Sequence, residues 1–134
     1  MFVDSSAIVA IISEESDAAA LAQRLQVTKG CVTSPLVILE SAMRLSSKQK
    51  AEPEHMLEAI QQLMVEAEID IMVLDATHAL LAVQAFAIYG KGRGHPAQLN
   101  LADCLSYACA KSRGLPILYK GNDFAQTDLA SSPG

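Results

Sequence analysis

Hydrophobic positions along this chain fall into two alternating kinds of run. Short, continuous apolar stretches predict buried strands at residues 1–4 (MFVD), 31–34, 69–74 and 116–119. Between them, apolar residues recur at helical spacing. A first helix is expected over Ala7–Ile12, and a second from an N-cap at Ser16 or Asp17 to about Val27. Pro35 opens a third helix and Pro53 a fourth, in which Met56, Leu57, Ile60, Leu63 and Met64 share a face. Asp75 is expected to cap a fifth helix running to about Tyr89, and Asn100 a sixth to about Lys111, ended by Gly114. The clearest break is residues 90–98 (GKGRGHPAQ), with three glycines and a proline. A turn at Gly121-Asn122-Asp123 follows the last strand.

Strands that alternate with helices and read as unbroken apolar runs predict an α/β fold with a parallel sheet, covered by helices on both faces. Such sheets build their sites beyond the carboxyl ends of the strands. One domain over residues 1–130 is expected, with a frayed tail at 131–134. No internal repeat is visible.

Composition narrows the options. Apolar residues are 51% of 134, enough to bury a core and too many for a disordered chain. No run approaches the roughly 18 apolar residues that span a bilayer, and the start lacks the basic segment of a signal peptide. The three cysteines are an odd number without zinc-finger spacing, and read as buried thiols in a reducing cytoplasm. A formal charge of −5 excludes a broad basic nucleic-acid face. It leaves open an acidic site whose charge a cation offsets.

Four acids stand out. Asp4 ends the first strand and Asp123 follows the last. Glu40 lies in the apolar run LVILESAM, and Asp103 opens NLADCLSYACA. Charged residues in apolar surroundings need partners. Convergent carboxylates suit a magnesium or manganese ion, which prefers hard oxygen ligands and completes its shell with water and substrate phosphate. Each acid also has a local reading. Asp4 can cap a helix and Glu40 can pair with Arg44 at i, i+4. Asp103 suits a helix first turn and Asp123 suits a turn.

The four acids sit in motifs that resemble the PIN-domain toxins of the VapC family. These motifs are Phe2-Val3-Asp4-Ser5-Ser6-Ala7, Pro35-Leu36-Val37-Ile38-Leu39-Glu40, Gly94-His95-Pro96-Ala97 through Leu99-Asn100-Leu101-Ala102-Asp103-Cys104, and Gly121-Asn122-Asp123-Phe124 with Thr127-Asp128. They follow the family's order and span nearly the whole chain; each is weak alone and together they are specific. The resemblance implies a three-layer α/β/α domain with a five-stranded parallel sheet. It implies a Mg²⁺- or Mn²⁺-dependent endoribonuclease site made of Asp4, Glu40, Asp103 and Asp123. Asp4 and Asp103 are then the direct metal ligands, with Glu40 and Asp123 acting directly or through water. Ser6 matches the small hydroxyl residue that supports the first aspartate. Ala102 departs from the glycine that many relatives carry, although alanine is compatible with a helix start. The resemblance also implies a toxin paired with a cognate antitoxin that reaches the acidic pocket with an arginine. It further implies a homodimer, and operator DNA bound only through the antitoxin. The apolar second-to-fourth helix region is the expected place for both interfaces.

Lys91, Arg93 and His95 form a compact basic cluster that suits RNA phosphate contacts, or simply a solvated loop. Lys120 and Arg44 can neutralise the acids or touch substrate. Lys111 and Arg113 suit a helix end. His55 and His78 are expected on helix surfaces, and Tyr107 and Phe86 in the core. Two rival functions remain: a DNA-directed nuclease or phosphatase on the same acids, and a non-catalytic PIN-fold subunit acting through a DNA-binding partner.

Overall fold

A computed structural model describes residues 1–129. The expected frayed tail at 131–134 lies outside these residues. Along the chain run β1 (Phe2–Val3), α1 (Ser5–Ile12), α2 (Ala18–Val27), β2 (Val32–Thr33), α3 (Pro35–Gln49) and α4 (Pro53–Glu66). They are followed by β3 (Asp70–Ile71), α5 (Ala76–Tyr89), α6 (Leu101–Arg113), β4 (Ile117–Leu118) and a 3-10 turn, Phe124–Gln126.

Local chemistry sets the helix boundaries. Ser34 caps α3 by accepting the Val37 N–H at 3.2 Å, with Pro35 in the first turn. Asp75 caps α5, and Asn100 and Asp103 cap α6 reciprocally. Gly114 ends α6 in the left-handed region at φ +63°. Asp17 precedes α2 without capping it, because its carboxylate turns to Lys120. The first helix starts at Ser5 rather than Ala7, because Asp4 leaves the strand and caps it. Ala102 lies inside α6, away from any left-handed backbone.

All strand pairs are parallel, in the order β3-β2-β1-β4. Phe2 aligns with Val32 and Ile117, and Val32 with Asp70. Successive strand residues point to opposite faces, and both residues of β1, β2 and β4 are buried. Helices therefore cover both sides of the sheet, and only the edge strand β3 is exposed. The ladders are shorter than the apolar runs suggested. Cys31, Ile69 and Met72 are buried beside the strands without belonging to them. The core joins Phe2, Ile8, Leu45, Ile60, Leu99 and Ile117.

Three expectations are corrected. The sheet of the described residues has four strands, not five. Gly121, at φ +106°, redirects the chain after β4, and Phe124 folds back onto Tyr119 with ring centroids 5.4 Å apart, so the segment continues as a 3-10 turn. His78 is buried, not superficial. Its Nδ1 accepts the Asp75 N–H at 3.0 Å, and its Nε2 lies 3.3 Å from the Ser112 hydroxyl. Phe86 is 45% exposed, with the Arg93 guanidinium 5.9 Å from its ring centre. Tyr107 is buried, as expected.

Candidate active site

Strand β1 is central, and its carboxyl end delivers Asp4 to the middle of the sheet edge. The Asp4 N–H continues the sheet by donating to the Leu118 carbonyl at 3.0 Å. The residue is only 3% exposed. Its Oδ2 accepts both the N–H of Ser6 at 3.0 Å and the hydroxyl of Ser6 at 2.7 Å. The Ser6 oxygen in turn accepts the Lys120 N–H at 2.9 Å. Helix capping and site building are thus one arrangement: the bonds that start α1 also lock Asp4 to the end of β4.

Glu40 reaches the same edge from α3. The buried Ser5 hydroxyl donates to its Oε1, and the Arg44 guanidinium lies 3.4 Å from the same Ser5 oxygen. The anticipated direct pairing of Glu40 with Arg44 is therefore replaced by a link through Ser5. Asp103 comes from the first turn of α6, where its Oδ2 accepts the Asn100 N–H at 3.1 Å. Asp123 lies exposed just before the 3-10 turn and makes no capping bond.

These acids surround one cavity of about 300 Å³, lined by Asp4, Glu40, Asp103 and Asp123 with Ser5, Ser6, Asn100 and Arg44. Lys120 and Phe124 complete the wall. Asp103 registers the crowding. Burial raises its carboxyl to about 7, the Asn100 N–H opposes the rise, and the charges of Asp4, Asp123 and Glu40 add to it. Such an arrangement holds a proton near neutrality, or exchanges it for a cation.

The donor set fits a hard divalent ion. It consists of carboxylate oxygens, without imidazole or thiolate. In Asp4, Glu40 and Asp103 the protein's donors engage one oxygen of each carboxylate, leaving the other for a ligand. The acids are spread around the cavity: among the described residues no three of them draw together into a closed ligand cage. An open arrangement suits an ion that takes one or two direct carboxylates and keeps several waters.

The basic residues divide differently from the sequence clusters. Lys91, Arg93 and His95 do not line the acidic cavity. His95 is occupied within its own loop, accepting the Ala97 N–H at 3.0 Å and meeting the Tyr89 ring edge-on at 4.8 Å. Lys120 borders the cavity, but its ammonium is engaged by Glu15 and Asp17. Lys111 pairs with Asp128 at 2.6 Å. The sequence marks Ser5 only as a neighbour of Asp4 and Asn100 only as a cap; the doubled hydroxyl Ser5-Ser6 is the signal that points to the first.

Comparison with known proteins decides the family. The PIN-domain family model matches residues 1–129. A VapC ribonuclease of Rhizobium meliloti is 41% identical, over 96% of this chain and 98% of its own length. The chain belongs to the PIN-domain family, among the VapC ribonucleases. Ribonuclease VapC28 of Mycobacterium tuberculosis is 43% identical, over 96% of this chain and 95% of its own. The fold carries further than the sequence. M. tuberculosis VapC20, described as a Sarcin-Ricin loop cleaving toxin, superposes with a TM-score of 0.70 at 17% identity, over 92% of each chain. A toxin–antitoxin complex from Klebsiella pneumoniae gives 0.69 at 16% identity, over 96% of this chain and 92% of that one. The four acids thus stand in a VapC-type framework, on the edge of its parallel sheet.

Proposed function

We propose that this chain is a Mg²⁺- or Mn²⁺-dependent endoribonuclease, the toxin of a toxin–antitoxin pair. The single observation that carries the reading is the convergence of Asp4, Glu40, Asp103 and Asp123 on one cavity, in a chain whose full-length relatives are VapC ribonucleases. Asp4 and Asp103 would hold the ion directly, with Glu40 and Asp123 completing the set directly or through water. A bound divalent ion would supply Lewis acidity, lowering the pKa of water and offsetting charge on the phosphodiester.

The chain's own residues supply position and proton balance. Ser6 fixes Asp4, Ser5 fixes Glu40 and Asn100 fixes Asp103, so the acids need little reorganisation before reaction. With its carboxyl near 7, Asp103 carries a proton part of the time at neutral pH, and a bound cation would displace that proton. Asp123, exposed at the mouth, is free to approach from the solvent side.

Partners follow from the same family. The toxin–antitoxin neighbour supports a cognate antitoxin, and operator DNA would be bound only through it. Two apolar surfaces support two interfaces. One is a groove of about 340 Å³ between α3 and α4, lined by Ile38, Leu39, Ala42 and Leu57. The other is a pocket of about 470 Å³ lined by Leu36, Val83, Phe86 and Leu101, which suits a homodimer. The second surface extends to α5 and α6, beyond the second-to-fourth helix region expected from sequence. Among the described residues no helix is long and apolar enough to cross a membrane, and the three cysteines are buried free thiols. The buried free thiols suit a reducing cytoplasm.

The test is parallel digestion of RNA, DNA and a phosphomonoester with Mg²⁺, Mn²⁺ or chelator. RNA alone should be cut, internally, and only with metal. Cleavage of DNA in preference to RNA would favour the DNA-directed rival. No hydrolysis of any substrate, with metal binding absent, would favour a non-catalytic subunit.

A further inference from the structure

We infer that Arg44 is the substrate-phosphate contact of the acidic cavity, a role that rests on the ribonuclease reading above. A phosphodiester approaching four carboxylates is repelled unless positive charge faces it. Two cationic side chains line this cavity, Arg44 and Lys120. The Lys120 ammonium is held by Glu15 and Asp17. Arg44 makes no ion pair among the described residues and is exposed on α3. Among the described residues its one hydrogen bond is the 3.4 Å contact with the Ser5 oxygen, a long one for such a donor.

Geometry separates this residue from a neutralising partner of Glu40. At i, i+4 on α3 the two side chains could meet directly. Instead Ser5 stands between them: its hydroxyl proton goes to Glu40 Oε1, and its oxygen faces Arg44. Glu40 is thereby held without using up the guanidinium. Arg44 keeps most of its five N–H donors, and their planar fork matches two phosphate oxygens. The arrangement puts an always-charged anion receptor on the wall that carries Asp4, Glu40 and Asp103. The Lys91–Arg93 loop, outside this wall, has no comparable access.

Binding of a short 2′-O-methyl oligoribonucleotide of mixed sequence, with Mn²⁺ present, tests the inference. Arg44→Ala should weaken binding roughly tenfold and lower the slope of log affinity against log salt by about 0.7, the loss of one phosphate contact on a single strand. Arg44→Lys should keep most of the slope, retaining charge without the fork. Mn²⁺ affinity without RNA, read by electron paramagnetic resonance, should not fall in Arg44→Ala. If Arg44 serves only to steady Glu40 through Ser5, Arg44→Ala will lower Mn²⁺ affinity, Ser5→Ala will reproduce the loss, and the salt slope will stay at the wild-type value. That pattern overturns the inference alone. A wild type that neither binds nor cuts RNA overturns both this inference and the ribonuclease reading.

Discussion

Two charged regions of this molecule invert what sequence proximity suggests. The acids Asp4, Glu40, Asp103 and Asp123 are spread over nearly the whole chain, yet they line one cavity. Lys91, Arg93 and His95 are almost adjacent, yet they lie on a loop outside it. The difference lies in what holds each group. Asp4 ends a strand, Asp103 lies in the first turn of α6 and Glu40 in the second turn of α3, and these three are fixed by hydroxyl or backbone donors. The loop is tied mainly to itself, and its arginine rests over an exposed ring. Convergence is set by topology, so clusters along the chain are a poor guide to clusters in space.

The comparison is broken most severely by removing one acid. Asp103→Asn or Asp4→Asn keeps size and most hydrogen bonds but loses charge. Either should reduce RNA cleavage at least about 100-fold under saturating metal, without loss of fold. Cleavage of labelled RNA together with circular dichroism checks it, and wild-type rates in either variant would remove that acid from the site.

Next in size is the dependence of stability on pH. A carboxyl raised from 3.8 to about 7 makes the folded state bind more protons than the unfolded state between these values. Stability therefore falls as pH rises from about 4 to 7. The loss is on the order of 2 kcal/mol once solvent screening of a partly exposed group is counted. Thermal melts in chelator should show this slope in wild type and not in Asp103→Asn. Mn²⁺ at ten times its dissociation constant should restore about 1.4 kcal/mol at pH 7. Equal slopes in the two proteins would mean that Asp103 is not the strained group.

A smaller change sharpens the role of the hydroxyls. Ser6→Ala removes the 2.7 Å bond to Asp4 and the acceptor of the Lys120 N–H. It should lower Mn²⁺ affinity roughly tenfold while cleavage at saturating metal stays near wild type, as expected when a supporting partner of a ligand is lost. The smallest effect belongs to the basic loop. Lys91→Ala with Arg93→Ala should weaken RNA binding a fewfold at low salt and leave the maximal cleavage rate unchanged. A loss of maximal rate would bring the loop into the site after all.

Local signals were the legible part of the fold. Pro35, Asp75, Asn100 and Gly114 mark helix ends through local backbone chemistry, and the structure keeps them, while the cap from Ser34, read as the end of a strand run, appears only in the structure. The acids could be singled out because charge inside an apolar run needs a reason. What escaped depended on tertiary contact. Helix α5 (ATHALLAVQAFAIY) is apolar nearly all round, so periodicity could not tell its buried face. His78 went inside to meet Ser112, while Leu80, Val83 and Phe86 stayed out. The apolar runs exceed the strands because buried residues beside a ladder look like residues within it. The fifth strand came from the family pattern, and Gly121 with Phe124 diverts the chain from it. The diversion of Arg44 from Glu40 through Ser5 joins residues far apart in the chain, beyond any local reading.

Mn²⁺ titration of wild type and of Asp4→Asn, Glu40→Gln, Asp103→Asn and Asp123→Asn at neutral pH is the most direct measurement of whether these acids form one site. Wild type should bind with a single dominant affinity, and every variant should bind more weakly, with Asp4→Asn and Asp103→Asn weakest. Combining those two should cost less than the sum of the single losses, because both act on the same ion. Wild-type affinity in the Asp4 and Asp103 variants, or fully additive losses, would contradict a shared metal site.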